Sequence, residues 1–285
     1  METQLPGTIG LIVTAVLRRF RDWQGVDRDE AEPSVVRLLG DQSNNVSVLV
    51  ANSRSYVVRV NRADAAANAL DPAAEQAAQL RAAEAGLAPA LRYFDPHAGV
   101  MVCDYLPADS SRKPEIPAIA TLLKSIHTLE PIPHLLDLSG RIRFYRDRLE
   151  AGPSNSGRAQ RAEAFEHAAI IASKLQSVDA QAALCHNDLI SQNRLWSDGR
   201  LWAIDWEYAA MGSRWFDLAV VIHGDKLTTT RADELVTAYL ERKPSRGERQ
   251  LLDWAGTCFR QLDHAWRLVN AMPPPIDLGS ANGGP

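Results

Sequence analysis

A chain of 285 residues that is 46% hydrophobic and 23% charged, with a net charge of −4, has ordinary globular composition and is long enough for one large domain or two modest lobes. It holds no block of Lys and Arg, which argues against a nucleic-acid partner. Its three cysteines (Cys103, Cys185 and Cys258) are too widely spaced for a disulfide framework or a zinc site, and reduced thiols of this kind point to a cytoplasmic setting.

The first apolar run, "TIGLIVTAVL" (Thr8 to Leu17), is too short to span a bilayer and has no basic segment before it. It reads as an amphipathic first helix, so no membrane insertion is expected. "VVRLLGDQSNNVSVLVANSRSYVVRVNR" reads as three short strands, because its β-branched runs are bounded by turn formers. "DPAAEQAAQLRAAEAG" (Asp71 to Gly86) reads as a helix with Asp as its cap and Gly as its stop. "LRYFDPHAGVMVCDYL" follows as a hairpin turning around Asp95 to Gly99. After Leu106 comes a polar, Pro-rich connector (Pro107 to Pro117). Helical spacing then marks "AIATLLKSIHTL", Arg141 to Leu149 and Arg158 to Val178. "RLW" and "LWAI", joined by "SDGR", form a second hairpin signalled by Asp-Gly. The pattern from Trp215 to Met272 is helical, and residues 273–285 read as a disordered tail.

The class expected is α+β. Residues 1–106 would form a small antiparallel-sheet lobe with one main helix, and residues 107–272 a larger, mostly helical lobe. Small-molecule sites favour the cleft between two such units.

The stretch "ALCHNDLISQNRLWSDGRLWAIDWEYA" places His186, Asp188 and Asn193 on a loop just before a strand, and Asp205 where the next strand ends. Polar groups packed among apolar runs need partners: a metal, a phosphate or a neighbouring strand. The tight turn brings Asp205 back toward the loop, so Asn193 and Asp205 can offer oxygen ligands to one hard cation. Mg²⁺ takes one or two protein oxygens together with phosphate and water. Asp188 would face the cleft as a carboxylate able to accept a proton. Together these are the requirements of phosphoryl transfer. The H-x-D-x-x-x-x-N spacing alone also arises by chance; the second Asp after an Asp-Gly hairpin adds the weight.

"HNDLISQN" resembles the catalytic loop of the kinase-like phosphotransferases, and "IDWEYA" their metal-binding Asp motif. With "FDLA" (Phe216 to Ala219), the set is similar to choline/ethanolamine kinases and bacterial thiamine kinases, over about Leu39 to Leu268. The resemblance implies a two-lobed protein-kinase-like fold that uses ATP and Mg²⁺. Asp188 would be the catalytic base, with Asn193 and Asp205 as the metal ligands. It implies structural roles for His186, as a hydrogen-bonding residue of the loop, and for Asp217, as an anchor for the loop backbone. Glu207 would approach metal or substrate, the alternative being a surface carboxylate.

For the nucleotide, the resemblance implies Ser43 and Asn44 of "GDQSNN" at the phosphates, although composition alone reads that stretch equally well as a hairpin turn. Arg59 would sit on the phosphate oxygens, Glu75 would pair with Arg59, and the backbone at Asp104 and Leu106 would read the adenine edge. Choline is the first acceptor expected. Thiamine or ethanolamine comes next, then an aminoglycoside; a non-catalytic nucleotide-binding module is the reading from another class. Cationic substrates are held by aromatic faces, and Trp254 and Trp266 are the rings singled out, with Phe259, Trp215 and Tyr208 nearby. Asp225 is the acid nearest the position where many choline kinases place a carboxylate facing the ammonium group.

Overall fold

In the computed structural model, residues 5, 7–41, 44–62, 70–113, 115–151, 158–179 and 182–270 are described. Ser43 and the expected tail at 273–285 lie outside them. Strands β1 (Ser34–Asp41), β2 (Asn45–Ala51) and β3 (Ser55–Asn61) are the three β-branched runs. With β4 (Leu91–Asp95) and β5 (Val100–Asp104) they make an antiparallel sheet of order β1-β2-β3-β5-β4. Side chains alternate between faces along a strand, and here the faces differ sharply. Val46, Val48, Val50, Val58, Val60, Val100 and Val102 are buried in one cluster with Phe20, Trp23 and helix α1 (Gly7–Leu17). Within it Trp23 meets Phe20 at 5.2 Å and Tyr56 at 5.3 Å, both edge-on. Ser47, Val57, Arg59, Met101 and Cys103 occupy the intervening positions and line a cavity on the opposite side.

Helix α2 (Pro72–Glu84) starts where expected: the Asp71 carboxylate accepts from the backbone N–H of Ala73 at 2.9 Å and Ala74 at 3.2 Å. Its first turn carries Glu75 toward the sheet, and Gly86, at φ +69°, closes it.

The C-terminal part is built on α3 (Ile116–His127), α4 (Leu138–Ala151), α5 (Arg158–Val178), α6 (Arg214–Gly224), α7 (Thr229–Leu240) and α8 (Arg246–Asn270). Helix α4 begins three residues earlier than the sequence suggests, because Leu138 is buried in the helical core. Helix α8 packs on α4, α5 and α6, burying Ala255, Cys258, Ala265 and Val269 at helical spacing. Two short ribbons interrupt the helices: β6 (Ala183–Cys185) with β9 (Ala210–Gly212), and β7 (Arg194–Ser197) with β8 (Arg200–Ala203). The Asp198-Gly199 turn between β7 and β8 has positive φ at both residues, 50° and 76°, as a two-residue hairpin requires. Among the described residues, no helix is long and apolar enough to cross a membrane.

Candidate active site

The loop between β6 and β7 carries His186, Asn187, Asp188 and Asn193. Two devices fix its start. The buried Asp217 carboxylate, in the first turn of α6, accepts from the backbone N–H of His186 at 2.9 Å and of Asn187 at 2.6 Å. Asp217 also meets His127 Nε2 at 3.0 Å, while His127 Nδ1 lies 2.8 Å from the Tyr239 hydroxyl. Burial opposes the Asp217 charge, but hydrogen bonding and attraction from His127 outweigh it and hold the pKa below the usual value. His186 is fully buried, with Nε2 3.0 Å from the Ile204 carbonyl and its ring 4.7 Å from that of Trp206. Burial lowers its pKa, so the ring is neutral. It shapes the loop and has no opening onto the cleft.

Asp188 lies at the floor of the cleft. Asn193 Nδ2 donates to its Oδ2 and to its backbone carbonyl, both at 2.8 Å. Burial first, then the charges of Asp205 and Glu207, push the Asp188 pKa well above the usual carboxylate value. Asp205 has φ +64°, uncommon for a residue with a side chain. Its Oδ1 lies 2.7 Å from Arg59 Nη1, and Arg59 Nη2 lies 2.5 Å from Glu75 Oε1. Burial disfavours the Arg59 charge, yet Glu75, Asp205 and Glu207 more than compensate and raise its pKa.

Glu207 is not a surface carboxylate. It is buried, accepts from Asn44 Nδ2 at 2.6 Å and from Asn45 Nδ2 at 3.4 Å, and is pushed up to about 7 by burial and by Asp205. Asn44 Nδ2 also lies 3.1 Å from the Tyr208 hydroxyl. Asn44 and Asn45, at the start of β2, are thus tied to the Asp205 loop, and in this structure Asn44 serves that link.

Two cavities meet at this point. One, of about 390 Å³, is walled by the open face of the sheet, Arg59, Asp104, Tyr105 and Leu106. The other, of about 710 Å³, holds Asp188, Glu207, Tyr208, Phe259 and Trp266. Gln192, Asn193 and Asp205 line both. At the rim of the smaller cavity, the Asp104 carboxylate is gripped by Arg92 at 2.6 and 2.7 Å, and its backbone N–H donates to Ala90 O at 3.0 Å.

Trp254 lies on α8 but does not line the larger cavity, whereas Trp266 does. The two rings are twelve residues apart, roughly 18 Å along the axis at ~1.5 Å per residue. Asp225 likewise lines neither cavity. Residues the sequence reading passed over include Asn45, Arg141, Tyr145 and Asp263. Asn45 was within the quoted "GDQSNN", but nothing marks the α4 residues except helical spacing. Arg141 stacks over the Tyr208 ring at 5.4 Å.

The donor set at Asn193 and Asp205, a carboxamide and a carboxylate at the mouth of both cavities, suits Mg²⁺ with phosphate and water completing its shell. Among the described residues, His127, Cys185 and Asp217 also cluster closely enough for a metal. The contacts of His127 and Asp217 already given occupy that cluster, and burial raises the Cys185 pKa, keeping its thiol protonated.

Residues 34–254 match the sequence profile of the phosphotransferase enzyme family. A stretch of 55 residues is 44% identical to protein LicA of Haemophilus influenzae; the match covers 19% of this chain and about a fifth (21%) of that relative's length. Among solved structures, a choline/ethanolamine kinase family protein from Mesorhizobium loti superposes with a TM-score of 0.70 at 20% identity, over 90% of this chain and 86% of the other. Choline kinase LicA from Streptococcus pneumoniae gives a TM-score of 0.68 at 21% identity, over 83% and 85%. The fold is the protein-kinase-like one, with a sheet-centred N-terminal part and a helical C-terminal part.

Proposed function

The chain belongs to the phosphotransferase enzyme family, and from that premise we propose that it transfers the γ-phosphoryl group of ATP to a primary hydroxyl of a small cationic metabolite, with choline as the first acceptor. The observation that carries this is the meeting of two cavities at Asn193 and Asp205, with Arg59 on one side and Asp188 on the other. ATP would occupy the smaller cavity, its adenine edge against the Asp104 carbonyl and the Leu106 N–H. The phosphates would reach Arg59, which stays charged under all conditions of interest. The alcohol would enter the larger cavity.

Asn193 and Asp205 would hold Mg²⁺, which when bound neutralises charge on the phosphates. The remaining work falls to the protein's own side chains. Asp188 accepts the acceptor hydroxyl's proton at one carboxylate oxygen, and the bond from Asn193 Nδ2 keeps that carboxylate aimed. Its raised pKa reflects burial first and then the charges of Asp205 and Glu207. Glu207 contributes a carboxylate, and Tyr208, Phe259 and Trp266 contribute rings, to the pocket that would take the ammonium group, while the Asp263 carboxylate in the same wall is held by Arg267 at 2.9 and 3.0 Å. Within this reading the chain divides after Leu106 into a nucleotide-binding lobe and a catalytic lobe, and it works in the cytoplasm.

A panel of choline, ethanolamine, thiamine and an aminoglycoside, each incubated with Mg·ATP, tests the acceptor. The highest kcat/KM should fall on choline. Turnover confined to the aminoglycoside would overturn the acceptor assignment, and ATP binding without phosphorylation of any hydroxyl compound would make the chain a nucleotide-binding module instead.

A further inference from the structure

We propose that the buried Arg194–Asp225 pair is a clamp that positions Asp188 and Asn193 for phosphoryl transfer; the proposal rests on the phosphotransfer reading above. Arg194 directly follows Asn193, at the first position of β7. Its side chain is 2% exposed and that of Asp225 10%. Arg194 Nη2 donates to Asp225 Oδ2, and Arg194 Nη1 donates to the Leu189 carbonyl at 3.1 Å. The other Asp225 oxygen accepts from the Ser191 backbone N–H at 2.8 Å. The carboxylate of Asp225, the C-cap residue of α6, therefore ties together Ser191 and Arg194, and through Arg194 the Leu189 carbonyl, in the stretch that follows Asp188 and contains Asn193.

The two ends of one helix share the work. Asp217, in the first turn of α6, grips the loop at His186 and Asn187; Asp225, at its C-cap, grips it at Ser191 and Arg194. The approach of α6 to the loop is close enough to demand glycine. A Cβ on Gly224 would stand 2.5 Å from Ile190 Cγ2.

Stability does not account for such a pair. Well-packed apolar residues of similar volume often replace a buried ion pair with no loss, or even a gain. The pair supplies direction instead: fixed bonds to a named carbonyl and a named N–H, which an apolar contact cannot provide. Displacement of a reacting group by about 1 Å costs on the order of 100-fold in rate, so a loop freed at one end loses turnover without losing its ligands. The carboxylate of Asp225 is spent on the loop, which explains why it does not face the acceptor pocket.

The test uses the full chain and two variants: Asp225→Asn, which preserves volume, and the double change Arg194→Met with Asp225→Leu, which removes both charges and keeps the site packed. The measurements are kcat, the KM for Mg·ATP, the thermal midpoint, and hydrogen exchange at the amides of residues 187–194. The clamp predicts kcat lower by roughly 10–100-fold, a nearly unchanged KM for Mg·ATP, a double variant that melts close to the parent, and faster exchange confined to the loop. A double variant with the parent's kcat and the parent's loop exchange would overturn it. Should the parent phosphorylate no alcohol at all, the functional reading falls, and loop exchange still decides the clamp.

Discussion

At the scale of single residues, the site is a balance of one buried cation against several acids. Arg59 faces Glu75 and Asp205 directly, and Glu207 sits close enough to feel both Arg59 and Asp205. Burial, and then the charge of Asp205, push the Glu207 pKa up to about 7, against about 4.3 when unfolded. A carboxyl whose folded pKa is raised stabilises the fold below its unfolded pKa, and that stability is lost as pH rises through the folded value. Glu207→Gln should therefore gain stability relative to the parent between pH 5 and 8, on the order of 1–3 kcal/mol at the alkaline end. Thermal melts in a chelator at both pH values measure it, and a constant difference would refute the assignment. Asp205→Asn should weaken Mg·ATP binding by at least about tenfold, the loss that even outer-shell partners of a metal cause. Titration calorimetry with and without Mg²⁺ reads this directly; unchanged metal dependence would remove Asp205 from the metal site.

At the scale of elements, the sheet supplies one wall of the cleft, α4, α6 and α8 supply others, and the loops carrying Asp188, Asn193 and Asp205 lie between them. The C-terminal half of α8 brings Phe259, Asp263 and Trp266 to the larger cavity, beyond the end of the 34–254 family match. Under the proposed function, acceptor recognition would draw on a segment outside that match. Trp266→Ala should raise the KM for a cationic acceptor roughly 2–30-fold, the worth of a cation–π contact, while the KM for ATP stays put; Trp254→Ala should leave both unchanged. Equal effects of the two changes would contradict the placement of the pocket.

The same helix shows what can be read from a sequence. Apolar period marks α8 as a helix and sets Trp254 and Trp266 about 120° apart around it, but it does not say which of those faces meets the cleft. Which one meets the cleft depends on how α8 docks on α4, α5 and α6, information spread over the whole chain. By contrast, the three β-branched runs, the Asp71 cap and the Asp-Gly turn are local signals, and each formed the element expected. The three-residue strands β6 and β9 are too short to show alternation, and only their pairing identifies them. Asp188, Asn193 and Asp205 were legible because their spacing around a hairpin is itself local. The partners of Glu207 and Asp225 lie far away in the chain, at Asn44 and Arg194, and no spacing announces them.

At the scale of the molecule, a sheet closed on one face by α1 and its aromatic cluster, and open on the other, meets a helical body across a shared cleft. The link from Asn44 to Glu207 and the pair between Arg59 and Asp205 join the two parts at the point where the phosphates would pass. Under the proposed function, Asp188 draws the proton from an alcohol while Asn193 and Asp205 hold the metal–triphosphate. Phosphorus NMR of a reaction containing choline, ATP and Mg²⁺ tests it most directly, run with the parent and with Asp188→Asn. The parent should yield ADP and a new phosphomonoester in equal amounts, and the variant should bind Mg·ATP yet turn over at least about 100-fold more slowly. A variant that forms the ester at the parent's rate, or a parent that releases only inorganic phosphate, would contradict it.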